Sequence, residues 1–169
     1  MNDWLLIFAF FFIWGIIKLK EEEGFFVPLP MGTVRQMLKL AQIRKDDVLY
    51  ELGSGDGRTV IEAAKSYGIK AVGIEIGHLA FAISNIRVRL SGTSNKVKLI
   101  KNDFFKEDIS ESTVVTFYLT PKLNEMLKPK LKKELKKGTR VVSAAHEIKG
   151  WKPVKKIKTG HFWTYFYRI

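Results

Sequence analysis

The chain has 169 residues, 46% apolar and 27% charged, enough for one domain with a real core, and this composition excludes a largely disordered protein. It contains no cysteine, which excludes a disulfide-stapled domain, a thiolate zinc site and a cysteine nucleophile. The formal charge of +12 is uneven: residues 120–169 carry 14 Lys/Arg against 3 Asp/Glu, whereas residues 24–119 carry 13 against 10. Such an excess implies attraction to phospholipid head groups, nucleic acid or an acidic partner, or else a solvated lysine-rich face.

Residues 4–17 (WLLIFAFFFIWGII) run for 14 residues without a polar side chain. As a helix the run spans roughly 21 Å, short of the roughly 30 Å hydrocarbon core; flanking residues and snorkelling of Lys18 and Lys20 supply the rest. Asp3 precedes it, lysines follow it and no A-x-A cleavage pattern is present. That order predicts an uncleaved N-terminal hydrophobic helix that anchors the protein in a membrane, with its C-terminal side in the cytoplasm. Residues 1–23 are thus expected to be anchor and acidic linker, and residues 24–169 the domain.

Pro28 and Pro30 hold the entering chain extended. The T-x-x-Q pattern at Thr33 and Gln36 reads as a capping box that starts a helix running to about Ile43. Residues 47–52 (DVLYEL) form a short apolar run ending in glycines, as a buried parallel strand does. A helix over 58–67, stopped by Gly68, leads to a strand over 71–76 (AVGIEI). A helix over 79–90 and strands over 97–100 and 113–119 follow. Thr120 then caps a helix with Pro121 in its first turn; Pro129 is expected to bend it and Gly138 to end it. A strand over 140–148 and two strands over 151–158 and 162–169, joined across Gly160, close the chain as an antiparallel hairpin. The alternation predicts an α/β, Rossmann-like open sheet with a C-terminal antiparallel hairpin.

The most informative stretch is Glu51, Leu52, Gly53, Ser54, Gly55, Asp56, Gly57 and Arg58, where the first strand turns into a helix. Ligands of open α/β sheets bind at such strand ends, and glycines let the backbone approach them. Glu75 ends the second strand 18 residues after Gly57, where a carboxylate takes ribose hydroxyls. Asn102, Asp103 and Phe104 supply an acceptor and an aromatic face after the third. A carboxylate at the turn repels a pyrophosphate, and neither G-x-G-x-x-G nor G-K-[ST] is present. A zwitterionic amino acid carrying an adenosine suits these groups, as in S-adenosylmethionine. The three histidines, His78, His146 and His161, are isolated and show no metal-ligand spacing.

With its E-x-G-x-G-x-G loop, Glu75 and Asp103 in this order, the chain resembles the seven-strand (class I) S-adenosylmethionine-dependent methyltransferases over residues 28–169. The V-P-L-P, D-V-L-Y-E-L-G-S-G-D-G-R, F-Y-L-T-P and G-T-R-V-V-S stretches resemble, more closely, the small protein-lysine methyltransferases of archaea and mitochondria. The resemblance implies S-adenosylmethionine as cofactor. It implies that Glu51 and the loop of Gly53, Ser54, Gly55, Asp56 and Gly57 hold its methionine part, Glu75 with Ile76 its ribose, and Asp103 with Phe104 its adenine. It places Pro28, Pro30 and Thr33 near the entrance. Tyr118, in place of an N-P-P-Y-type motif, is a candidate for positioning a lysine amine. A local ion pair is the alternative reading of Asp56 and Arg58. The resemblance thus implies methyl transfer to lysine side chains of a protein, with nucleic acid not the expected partner. An RNA methyltransferase, or a membrane-tethered nucleoside-binding module without turnover, stays open.

Overall fold

The computed structural model describes residues 27–169. The expected anchor helix, its linker and the boundary at residue 24 lie outside the described residues. Among the described residues, no helix is long and apolar enough to cross a membrane.

The elements follow in chain order as α1 (Met31–Leu40), β1 (Val48–Leu52), α2 (Arg58–Tyr67), β2 (Lys70–Glu75), α3 (His78–Ser91), β3 (Val97–Lys101), β4 (Val114–Phe117), α4 (Pro121–Glu134), β5 (Arg140–Ala144), β6 (Lys155–Thr159) and β7 (Phe162–Arg168). The seven strands form one sheet in the order β3-β2-β1-β4-β5-β7-β6. The first five are parallel, and β7 is antiparallel to both β5 and β6. The order reverses between β1 and β4, which is where an open α/β sheet has its crevice.

The two faces are covered unequally. On one, α1, α2 and α3 bury Val34, Met37, Val60, Ala63 and Val88 against β1, β2 and β5. On the other, α4 contributes Leu127 and Leu131, and loops bring in Ile109, Ile148 and Trp151. Trp151 packs edge-on against Tyr167 at 5.8 Å, and the Tyr167 hydroxyl accepts the Ile148 N–H at 2.9 Å. Aromatic packing thus stands where a further helix could cover the sheet.

Several boundaries differ from expectation. Helix α1 starts at Met31 with Pro30 as its cap residue and no side-chain cap, so Thr33 is not a cap; it is buried in the first turn. The helix ends at Leu40 because Arg140 donates to the carbonyls of Ala41, at 3.3 Å, and Gln42, the latter turned into the left-handed region. Helix α4 runs through Pro129 but stops at Glu134, before Gly138, because buried Leu135 turns inward in extended conformation. Strand β5 ends at Ala144, well short of 148. The buried Asn124 amide donates to the carbonyls of His146, at 3.1 Å, and Glu147, at 3.3 Å, and draws the chain out of the sheet. Strand β4 ends at Phe117, freeing residues 118–120 from the ladder.

Arg140 and Asp47 form an ion pair in which each side chain is only 6% exposed. Burial raises the Asp47 pKa, but the Arg44 N–H at 2.5 Å, the Thr113 hydroxyl at 2.7 Å and Arg140 outweigh it, and Asp47 titrates below the ordinary carboxylate range. Its contribution to stability is therefore present above the unfolded-state pKa and lost as pH falls through the lower folded value. Asp47→Ala leaves a buried guanidinium unpaired and should cost about 3–5 kcal/mol in denaturant unfolding at neutral pH. A loss under about 1 kcal/mol would show that the pair is not structural.

Candidate active site

The chain leaves β1 at Leu52 and turns through Gly53, Gly55 and Gly57, all with left-handed φ (75°, 54° and 77°), before α2 begins at Arg58. Side chains rarely adopt that region, so the three glycines are what the turn requires. Gly53 and Ser54 donate their N–H groups to the Ile74 carbonyl, each at 2.9 Å, which ties the turn to the end of β2. Glu75 completes the tie: one carboxylate oxygen accepts the Gly55 N–H and the other the Gly77 N–H, both at 2.7 Å. Each oxygen keeps a further lone pair for a ligand donor.

Glu51 is 3% exposed at the end of β1. Burial pushes its carboxyl up to about 7, against the lowering effect of hydrogen bonds from the Thr116 and Thr59 hydroxyls. Thr116 stands opposite Glu51 in the ladder of β4. Because its folded pKa is raised, the stability Glu51 contributes is present at low pH and lost as pH rises from about 4.5 through about 7. Asp56 behaves oppositely. Burial raises its pKa, but Arg58 at 2.7 Å and Arg87 more than compensate, so it stays charged. Arg58 also donates to the Leu29 carbonyl, holding the incoming chain against the loop.

These groups border a cavity of about 270 Å³ at the crevice of the sheet. Glu51, Asp56 and Glu75 give it three acids, and Gly53 and Ser54 contribute the loop. The Ser54 hydroxyl is buried without a hydrogen-bond partner. Ile76, Phe104, Tyr118 and Leu119 form apolar wall. Three acids and an orphan hydroxyl fit a ligand bearing a cation and hydroxyls, and the apolar wall fits its ring.

Among the residues that the sequence points to, Pro28, Glu51, Gly53, Ser54, Asp56, Glu75, Ile76, Phe104 and Tyr118 line this cavity, whereas Pro30 and Thr33 do not. Gly55 and Gly57 shape the loop without lining it. Asp103 does not line it either: its carboxylate accepts the Phe105 N–H at 2.9 Å, closing the turn that presents Phe104. The Tyr118 ring stacks on Phe162 at 5.9 Å, beyond the end of β4. Sequence reasoning misses Thr59, Thr116 and Leu29, and it gives Arg58 only an ion pair. A threonine inside an apolar strand, beside a strand-end acid, is the signal that points to Thr116. Gly73 escapes it as well. It pairs with Glu51 in the ladder, and a Cβ there would lie 2.8 Å from the Ser54 oxygen and 3.0 Å from Leu99. Its missing side chain makes room for the loop to fold back over β2.

The strand order and this acid-lined cavity define a seven-strand methyltransferase that uses S-adenosylmethionine. The chain belongs to the family described as the ANTKMT methyltransferase domain, whose model matches residues 51–155. A protein-lysine N-methyltransferase of Saccharolobus islandicus is 48% identical over 134 residues, 79% of this chain and 83% of that protein. An adenine nucleotide translocase lysine N-methyltransferase of Mus musculus is 31% identical over 82% of this chain, which spans only 62% of that relative. A crystal structure described as an RNA methyltransferase from Salinibacter ruber, in complex with S-adenosyl-L-homocysteine, matches with a TM-score of 0.83 at 40% identity, covering 85% of this chain and 94% of that one.

Gly73→Ala should lower stability by about 1–3 kcal/mol through overpacking and weaken S-adenosylhomocysteine binding in calorimetry. Adding Ser54→Gly should restore part of the stability, because it removes the atoms the new methyl meets. Purely additive losses would disprove the contact.

Proposed function

We propose that the chain transfers the methyl group of S-adenosylmethionine to the ε-amine of lysine residues in a protein, while residues 4–17 hold it at a membrane with its domain in the cytoplasm. The observation that carries the lysine reading is the 48% identity to a protein-lysine N-methyltransferase over 134 residues. The membrane reading rests on the apolar run and its flanking charges.

When bound, the cofactor supplies a methyl group on a positively charged sulfur. In this reading Glu51 and the loop of Gly53, Gly55 and Gly57 take the amino-acid end, and ionised Glu51 faces its ammonium. Glu75, already fixed by two N–H groups, offers its remaining lone pairs to the ribose hydroxyls beside Ile76. Phe104 covers the adenine, with Asp103 holding the turn that carries it. Each contact is one of position, which is what an in-line transfer between atoms about 3–3.5 Å apart demands.

The acceptor amine must be neutral, whereas a free lysine has a pKa near 10.4. Tyr118, Leu119 and Leu123 give an apolar wall, and desolvation against it favours the uncharged amine. Tyr118 is the candidate for positioning it. No dedicated base is needed if desolvation and the neighbouring positive sulfur together lower that pKa.

A second reading, methyl transfer to RNA, is favoured by the description of the 40% identical structure and by the basic last third. Incubating the full chain with methyl-labelled cofactor, a membrane fraction and total RNA separates the two. The expected outcome is label in protein, recovered as methyl-lysine after acid hydrolysis and unaffected by ribonuclease. Label confined to nucleosides, falling steeply with salt, would overturn the lysine reading.

A further inference from the structure

Helix α3 is apolar on both sides. Its inner face buries Ala80, Ser84 and Val88 against the sheet. Its outer face carries Leu79, Ile83, Ile86 and Leu90, which are 65%, 38%, 58% and 83% exposed. The spacing of i, i+4, i+7 and i+11 puts these four on one continuous stripe about three turns long. Exposed Ile76 lies just ahead of it and also lines the cavity.

The segment that carries the stripe has charge of one sign. Residues 76–102 contain no Asp or Glu and five Lys/Arg. Arg87 turns inward to Asp56, while Arg89 is exposed, as are Lys96 and Lys101 at the two ends of the edge strand β3, which reach the Gly68 and Ile76 carbonyls; Lys98 lies on the opposite face of the sheet. Across a two-fold axis a second copy would set this positive surface against itself, and like charges oppose that pairing. An apolar stripe rimmed by cations is instead the pattern of a helix lying in the interface of an anionic bilayer.

The point of chain entry agrees. Val27, where the described residues begin, lines the same cavity as Ile76, so the chain enters at the cavity end of the sheet, the end from which α3 also starts. The ten residue steps from Ile17 to Val27 reach at most about 35 Å. We propose that the outer stripe of α3, Leu79, Ile83, Ile86 and Leu90, lies in the headgroup–acyl boundary of an anionic membrane and sets the rim of the cavity at the lipid surface. This deepens the membrane part of the proposed function and rests on it. A lysine presented within the first layers of the membrane surface is then the favoured substrate.

The absence of cysteine makes the test clean. Single cysteines replacing Leu79, Ile83, Ile86 or Leu90 in the full chain, and one replacing Lys133 on α4, are labelled with an environment-sensitive fluorophore. The protein is bound to phosphatidylcholine vesicles containing phosphatidylserine, with nitroxides on the lipid chains. The expected result is blue-shifted emission at all four stripe positions, quenched at least about threefold more than at Lys133. Water-like emission at the stripe on vesicle-bound protein would overturn the inference and leave the anchor reading standing. A blue shift without nitroxide quenching would also overturn it, since another protein surface would then cover the stripe. Failure of the unlabelled chain to float with vesicles would overturn the anchor reading and this inference together.

Discussion

A carboxylate shut away from water at the end of a central strand is costly unless its surroundings are arranged for it, and Glu51 organises the site around that demand. Thr116 on β4 and Thr59 on α2 both bond to it, which links the strand on one side to the helix above. The glycine turn passes directly after it, Gly73 faces it across the ladder, and Ser54 folds into the space that Gly73 leaves. Even so, burial outweighs the two hydroxyls and the carboxyl stays hard to ionise. A ligand cation would reverse that balance, so the cost of burying the acid is recovered when the cofactor's ammonium is held.

The frame keeps this arrangement in place through two charged ties. Arg140 and Asp47 join the start of β5, the start of β1 and the end of α1, at the opposite end of the strands from the cavity loops. Arg58 and Asp56 join the turn to the incoming chain at Leu29, so the wall that precedes α1 is tied directly to the loop. With α4 the one described helix on the second face, the loops around Ile109, Ile148 and Trp151 complete the core there. The cavity end is therefore built largely from connections, and the shortening of β4 at Phe117 releases Tyr118 and Leu119 to serve as cavity wall.

Much of this is legible in the chain. Strands and helices alternate in the hydrophobic pattern, and the glycine turn is readable because three left-handed positions within five residues leave few alternatives to glycine. Glu75 is readable from its distance along the chain. What is not legible depends on partners far away in sequence. Thr33 has the look of a cap, yet Pro30 starts the helix and the threonine is buried; the end of α1 depends on Arg140, about a hundred residues later. The end of β5 depends on an asparagine in α4. Gly73 looks like any strand glycine until Ser54 is seen folded against it. The turn that one Asp103 oxygen closes, which presents Phe104 to the cavity, is likewise seen only in the structure. The stripe on α3 is hidden because an apolar helix reads as a buried one.

Measuring S-adenosylmethionine affinity by calorimetry across pH, in the wild-type chain and in Glu51→Gln, tests the central role of the buried acid most directly. If the cofactor needs Glu51 ionised, affinity scales with the ionised fraction, which for a pKa of about 7 rises about tenfold between pH 6 and pH 8. Wild type should tighten by that factor and Glu51→Gln should bind more weakly, with a flat profile. A flat wild-type profile, or one that Glu51→Gln reproduces, would contradict it.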